Sequence, residues 1–226
     1  MTTPASSTFP QKVDLRHLCQ PIQSQGDRGT CLAFSATAAH EVAQVVTASV
    51  IADLAEEVLY WGCKQVDQNV IPGTSFYAAS TALTKWGQPE ESLWPYDPLR
   101  IDTNSSYQPP AAAIDPSVCM RTSLIQIAAD TPTIKTTLIN GQPAMLGIQM
   151  SVPLLYPVNG HIALPQPSEM LAEGHAMLIV GYDEATAGQG EWTIRNSWGI
   201  GWGDDGYGYL PYRYIEQYGG EAWTIA

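Results

Sequence analysis

The arrangement of apolar and polar positions changes character partway along the chain. In the first half, alanine-rich stretches set apolar side chains three and four positions apart, the spacing that gives a helix one buried face. Three of them predict helices: "CLAFSATAAHEVAQVVTASV" from Cys31, "LAEEVLYWGCK" from Leu54, and "SFYAASTALTKWG", which ends on Gly87 as helices often do. In the second half the apolar runs are short and split by Gly and Pro. "AMLGIQM", "HAMLIVGYD", "EWTIRNSW" and "GYGYLPY" predict strands, with one helix over "TPTIKTTLING" among them. The two textures meet at residues 97–116, "DPLRIDTNSSYQPPAAAIDP", which reads as a long loop. Helices first and strands later predict an α+β chain with a helical lobe and a sheet-rich lobe.

The turn "DEATAGQG" between "IVGY" and "EWTI" predicts an antiparallel pair joined by a long hairpin loop. His175 opens one of these strands and Asn196 ends the other, so antiparallel pairing brings both to one end of the sheet.

Composition narrows the possibilities. With 45% hydrophobic residues among 226, the chain can bury one large core or two smaller ones. Its 22 acidic and 10 basic residues give a net charge of -12, with no basic cluster to track a phosphate backbone, so nucleic acid is a poor partner. The charge reads as a solubility device, a preference for basic substrates being the sharper alternative. No run of 18 apolar residues occurs, so no membrane span is expected. The opening "MTTPASSTFPQKV" lacks the pattern of a secretory signal. Cysteines at 19, 31, 63 and 119 match neither zinc-ligand pairs nor a dense disulfide scaffold, so no metal or cofactor is expected. A reducing, cytoplasmic setting fits, although a secreted mature form cut from a precursor would also lack its signal.

The chemistry centres on "QSQGDRGTCLAFSATAAHE", residues 23–41, where a glycine-punctuated run turns into a helix at Cys31. A thiol in the first helical turn meets unpaired backbone N–H groups and the positive end of the helix dipole, both of which favour a thiolate. An imidazole beside it would take its proton and leave an ion pair able to attack a carbonyl. Of four histidines, His17 and His40 read as surface or packing residues, and His161 sits in a Pro-rich loop with no neighbouring charge to tune it. His175, after Gly174, stands at a strand end facing a cleft. Asn196 in "RNSWG" can accept the ring's other N–H without adding charge, and Trp198 and Trp202 could cover that bond from water. The backbone N–H of Cys31 and the side-chain amide of Gln25 could hold a developing oxyanion.

Together these segments resemble the papain family of cysteine peptidases, over almost the whole chain. "VDLRHLCQPIQSQGDRGTCLAFS" resembles the family's start and nucleophile segment, "GHAMLIVGYDE" its histidine strand, and "IRNSWGIGWGDDGYGYL" its asparagine and glycine-aromatic tail. His175 lies 144 residues after Cys31, inside the family's spacing of roughly 130–150; Asn196 lies 165 after it, beyond that spacing, as a longer hairpin loop would explain. The resemblance implies a single domain over 1–226: a mainly helical lobe over 22–116, a mainly β, barrel-like lobe over 117–226 on which segment 1–21 packs, and a cleft between them. It implies Cys31 as nucleophile, His175 as base then acid, Asn196 as its orienter, Gln25 as oxyanion donor and Trp198 as shield. Gly73 and Thr74 would line the cleft wall, where Gly73 offers backbone groups to an extended peptide. Ala144, Gly147, Gly174 and Ala176 would lie near the pocket for the substrate's second residue. The chain departs from the family where a cysteine usually precedes the nucleophile and a tryptophan follows it; those places hold Arg28 or its neighbours and Leu32, so the usual nearby disulfide cannot form. Cys63 and Cys119 could match another family bridge, a pairing the sequence leaves open. By this resemblance the inhibitory pro-segment typical of secreted relatives is expected either to have been removed or to be replaced by control elsewhere, and the tolerance for lost disulfides agrees with a bacterial-type, intracellular branch.

Three functions remain open at this point: a cysteine endopeptidase on peptide or protein substrates, a non-catalytic peptide-binding module, and an acyl transferase or ligase using the same thiol.

Overall fold

A computed structural model describes residues 9–103, 105–184 and 190–226. In chain order its elements are β1 (Lys12–Asp14), α1 (Cys31–Ala48), α2 (Glu56–Asp67), α3 (Phe76–Lys85), β2 (Leu124–Ile127), α4 (Thr131–Ile139), β3 (Ala144–Ser151), α5 (Val152–Leu155), β4 (Met170–Asp183), β5 (Glu191–Arg195), β6 (Tyr207–Pro211), α6 (Tyr212–Tyr218) and β7 (Glu221–Ile225). Short 3-10 turns, among them Ala111–Ile114, punctuate the loops.

α1 is the spine. Every residue from Leu32 to Ala43 is buried, because the sheet covers one side of the helix and α2 and α3 the other. That explains its alanine content: small side chains let neighbours close in on all faces. α3 begins where Ser75 accepts the Ala78 N–H at 3.2 Å, and α4 where Asp130 accepts the Thr133 N–H at 2.7 Å with Pro132 in the first turn. α2 has no side-chain cap, but Glu57, ion-paired with Arg28, places a carboxylate in its first turn, while burial disfavours the charged form of Glu56.

The strands form one antiparallel sheet in the order β2-β7-β3-β4-β5-β6, with β1 also paired to β4. The ends of that order, β2 and β6, are not joined, so the barrel-like lobe expected from the sequence is an unclosed sheet. β4 starts at Met170, five residues before His175, which therefore lies within the strand and not at its start. The reason is β3, whose Gln149 and Ser151 pair with Gly174 and Met170 across an irregularity and carry the ladder past the apolar run. β4 and β5 pair antiparallel; most of the hairpin loop expected between them lies outside the described residues. β1, β2, β7, α5 and α6 were not among the elements predicted from the sequence.

The chain reaches α1 by running along the sheet. After β1, the Leu15 N–H donates to the Val180 carbonyl at 2.8 Å. Arg195 donates to the carbonyls of Gln20 and Pro21, each at 2.7 Å, and Ser24 forms an antiparallel bridge with Trp198. No helix among the described residues is long and apolar enough to cross a membrane.

Candidate active site

Cys31 is the first residue of α1 and is half-buried in a cleft whose opposite wall is built from β3, β4 and the segment entering β7. The preceding Thr30 does not cap the helix with its side chain, since its hydroxyl is engaged with the Tyr96 hydroxyl at 2.8 Å. Gly29 is needed in this turn: a Cβ there would come within 2.6 Å of the Gly73 backbone nitrogen. The turn that leads into Cys31 thus presses directly on the cleft wall.

His175 lines the same cleft. Its Nε2 lies 2.8 Å from Asn196 Oδ1, and the Ser197 backbone N–H donates to that oxygen at 2.9 Å. Because Oδ1 already accepts a backbone N–H, it is the acceptor for the ring, so Nε2 carries the proton and Nδ1 is left as the basic nitrogen. Trp198 stacks on the imidazole with ring centroids 4.5 Å apart, and Trp202 meets Trp198 edge-on at 5.8 Å. Trp202 is itself fixed by donating its indole N–H to the Leu154 carbonyl at 3.0 Å.

Burial dominates the electrostatics. It pushes the Cys31 thiol above its ordinary value, opposed by backbone N–H groups of Ala176, Leu32 and Cys31 that favour the thiolate. It also carries the His175 imidazole down to about 4, opposed by the Asn196 hydrogen bond. Burial therefore disfavours the charged form of each group taken alone. Transfer of the proton from sulfur to ring would create two opposite charges in one cleft, a compensation that neither group has by itself.

Gln25 is buried beside this pair. Its backbone N–H donates to the Ser197 carbonyl at 2.8 Å, its Oε1 accepts the Ser197 hydroxyl at 2.6 Å, and its Nε2 donates to the Arg28 carbonyl at 2.7 Å. Nε2 has two N–H bonds, and the second has no partner among the described residues. Gly73, at φ 91°, Thr74 and Gly174 line the cleft. The Gly73 carbonyl accepts Lys64 Nζ at 3.1 Å, and Thr74 donates to Asp67 Oδ2 at 2.8 Å. Gly147 and Ala176 line the cleft as well, but Ala144 does not: it is fully buried and pairs with Ile179 farther down the sheet.

Two further expectations change. His161 does have a charged neighbour, Glu191 Oε1 at 3.1 Å from its Nδ1, because β5 begins against its loop. Cys63 and Cys119 do not pair; all four thiols are free. Cys63 is buried in α2, with its thiol pushed up to about 12 by desolvation, and Cys119 donates to the Ala113 carbonyl at 3.5 Å. His17 is exposed and His40 is buried against Gln88 at 3.0 Å, neither near the cleft. Sequence reasoning missed Ser197, which follows Asn196 directly, and also Phe76 and Glu221, which line the cleft. No group of three or more His, Cys, Asp or Glu able to hold a metal occurs among the described residues.

A helix-initial thiol and an asparagine-held imidazole, facing one cleft in a helix-and-sheet fold, define a cysteine-protease scaffold. The model of the papain family cysteine proteases matches residues 9–222. Peptidase 1 of Euroglyphus maynei is 30% identical over 223 residues, covering 94% of this chain and 65% of that protein. The senescence-specific cysteine protease SAG12 of Arabidopsis thaliana is 29% identical over 205 residues, covering 90% of this chain and 57% of that protein, so the chain spans less than two thirds of either relative. Among solved structures, xylellain, a cysteine protease from Xylella fastidiosa, superposes with a TM-score of 0.79 at 26% identity over 99% of this chain and 90% of its own. The chain belongs to the papain family of cysteine proteases.

Proposed function

We propose that this chain is a cysteine endopeptidase that cleaves peptide bonds through an acyl-enzyme. The observation that carries this reading is the His175–Asn196 hydrogen bond: it fixes the tautomer that leaves Nδ1 basic in the cleft that Cys31 lines. As the substrate carbonyl arrives, the Cys31 sulfur bonds to its carbon while the thiol proton passes to His175 Nδ1. The carbonyl oxygen takes the negative charge, facing the Cys31 backbone N–H and the second side-chain N–H of Gln25. The imidazolium then returns its proton to the departing amine nitrogen, and water, deprotonated by the same ring, releases the acid and regenerates the thiol. An extended peptide would lie along Gly73 and Gly174.

Digestion of a proteome-derived peptide library, read by mass spectrometry, tests this. Wild type should generate new termini at many sites and Cys31→Ala none. If the wild-type protein cleaves nothing but binds peptides equally well with or without the thiol, the chain is a binding module. If products carry added amines in place of water, it is an acyl transferase.

A further inference from the structure

Arg28 lies between Gln25 and Cys31 in the turn where the papain family usually carries a disulfide-forming cysteine. Its side chain, 7% exposed, points inward to Glu57 of α2, whose side chain is wholly buried. Nη1 and Nη2 grip the two Glu57 oxygens at 2.8 and 2.7 Å, a bidentate pairing. Nη1 also donates to the Asp97 carbonyl at 3.0 Å, while Nε and Nη2 both reach Asp102 Oδ2 at 3.2 Å. These contacts use all five N–H donors of the guanidinium, so the fork has no slack. Its face lies 4.8 Å from the Tyr96 ring, and Tyr96 donates its hydroxyl to the Gln25 carbonyl at 2.8 Å. The backbone of the same arginine completes the circuit, since its carbonyl accepts Gln25 Nε2 at 2.7 Å.

We infer that Arg28 is a positioning residue for the oxyanion donor: its guanidinium, locked in the Glu57–Asp102 socket, fixes the carbonyl that aims the Gln25 amide. The inference rests on the endopeptidase reading, in which Gln25 faces the developing oxyanion. Gln25 is then held from both lobes, its oxygen by Ser197 and one N–H by Arg28, and a single N–H is left for substrate. An ion socket here does the mechanical task of a disulfide without an S–S bond.

The test compares two reactions of Cys31 at a temperature where circular dichroism shows each variant folded. Peptide amide hydrolysis builds an oxyanion; alkylation by iodoacetamide displaces iodide at saturated carbon and builds none. Gln25→Ala is expected to lower kcat by about 100-fold, the loss typical of one oxyanion donor. The paired variant Arg28→Met with Glu57→Gln, which removes the two most buried charges together and leaves the half-buried Asp102 and Arg100 without these partners, should lower kcat by roughly 10- to 100-fold, with KM and the alkylation rate within about twofold of wild type. Adding Gln25→Ala to it should cost little more, because both act through one donor. Should the paired variant fail to fold, Arg28→Lys, which keeps charge without the fork, and Asp102→Asn give graded losses of the same kind. A kcat deficit in Gln25→Ala with none in any Arg28 or Asp102 variant overturns the positioning role and leaves the oxyanion reading standing. Unchanged kcat in Gln25→Ala overturns the oxyanion reading itself. Alkylation slowed in step with hydrolysis would mean that Arg28 acts on the thiol, and the inference fails.

Discussion

At the scale of single residues, the Asn196 side chain decides what His175 can do. Its Oδ1 accepts from both the ring and the Ser197 N–H, so replacing it by alanine releases the tautomer and removes the contact that favours the protonated ring. Asn196→Ala should therefore lower kcat by about 10- to 100-fold and move the acid limb of the kcat/KM profile below its wild-type position; a limb displaced toward neutrality would contradict this. Cys31, His175 and Asn196 were legible in the sequence because each carries local punctuation: a glycine turn opening a helix, a glycine before an apolar run, an amide ending a strand. Arg28 was not legible as a positioning residue. Its carboxylate partners lie 29 and 74 residues away, and Asp102 sits in a stretch that reads only as loop.

Among elements, β4 and β7 shape the cleft more than their patterns disclose. β4 reads as starting at His175 because residues 170–174 are half-buried or exposed, yet β3 pairs with them and makes them one wall of the cleft. β7 went unseen because its apolar positions are few and follow two glycines at the end of the chain. Its first residue, Glu221, lines the cleft, and with no side chain at Gly147 the space there is shared by Phe76 and Glu221: a Cβ at 147 would lie 2.9 Å from the Phe76 ring and 3.6 Å from Glu221 Oε1. Phe76 in turn stacks on Trp223 with centroids 5.4 Å apart. A carboxylate beside an aromatic platform suits a basic substrate side chain. Glu221→Gln should reduce kcat/KM for peptides with Arg or Lys in this groove by about fivefold relative to neutral ones, as expected for a solvent-exposed pair. Equal effects on both substrate sets would show that the carboxylate does not read the substrate.

Across the whole molecule, buried acids set the pH range of stability. Glu41, on α1, is carried up to about 8 by desolvation although it accepts the Leu54 N–H at 2.9 Å, and Glu91 is carried up to about 7, again chiefly by desolvation. Their contribution is fully present below the ordinary carboxylate value of 4.5 and is lost as pH rises through 7 and 8. His175 has the opposite sign: its neutral burial contributes about 3 kcal/mol above pH 6.5, lost as pH falls toward 4. Between pH 4.5 and 6.5 the two raised acids outweigh the one depressed imidazole, so the thermal midpoint should be highest at roughly pH 4–5 and fall as pH rises toward 8. Glu41→Gln should flatten the alkaline side without moving the acid side, as scanning calorimetry across pH would register. The α+β class was legible from the change of texture along the chain; the unclosed sheet and the buried acids were not, since both depend on which faces meet. The route by which the chain enters α1 carries one more consequence. Ser35, four residues beyond Cys31, donates to the Met177 carbonyl, two residues beyond His175, at 2.8 Å, and Gln25 is stitched to Ser197 by main chain and side chain alike. Sulfur and ring thus belong mechanically to one body, although they come from opposite sides of the groove. Breathing of the outer helices would widen or narrow the seat for a peptide while the spacing of the reacting atoms stays constant.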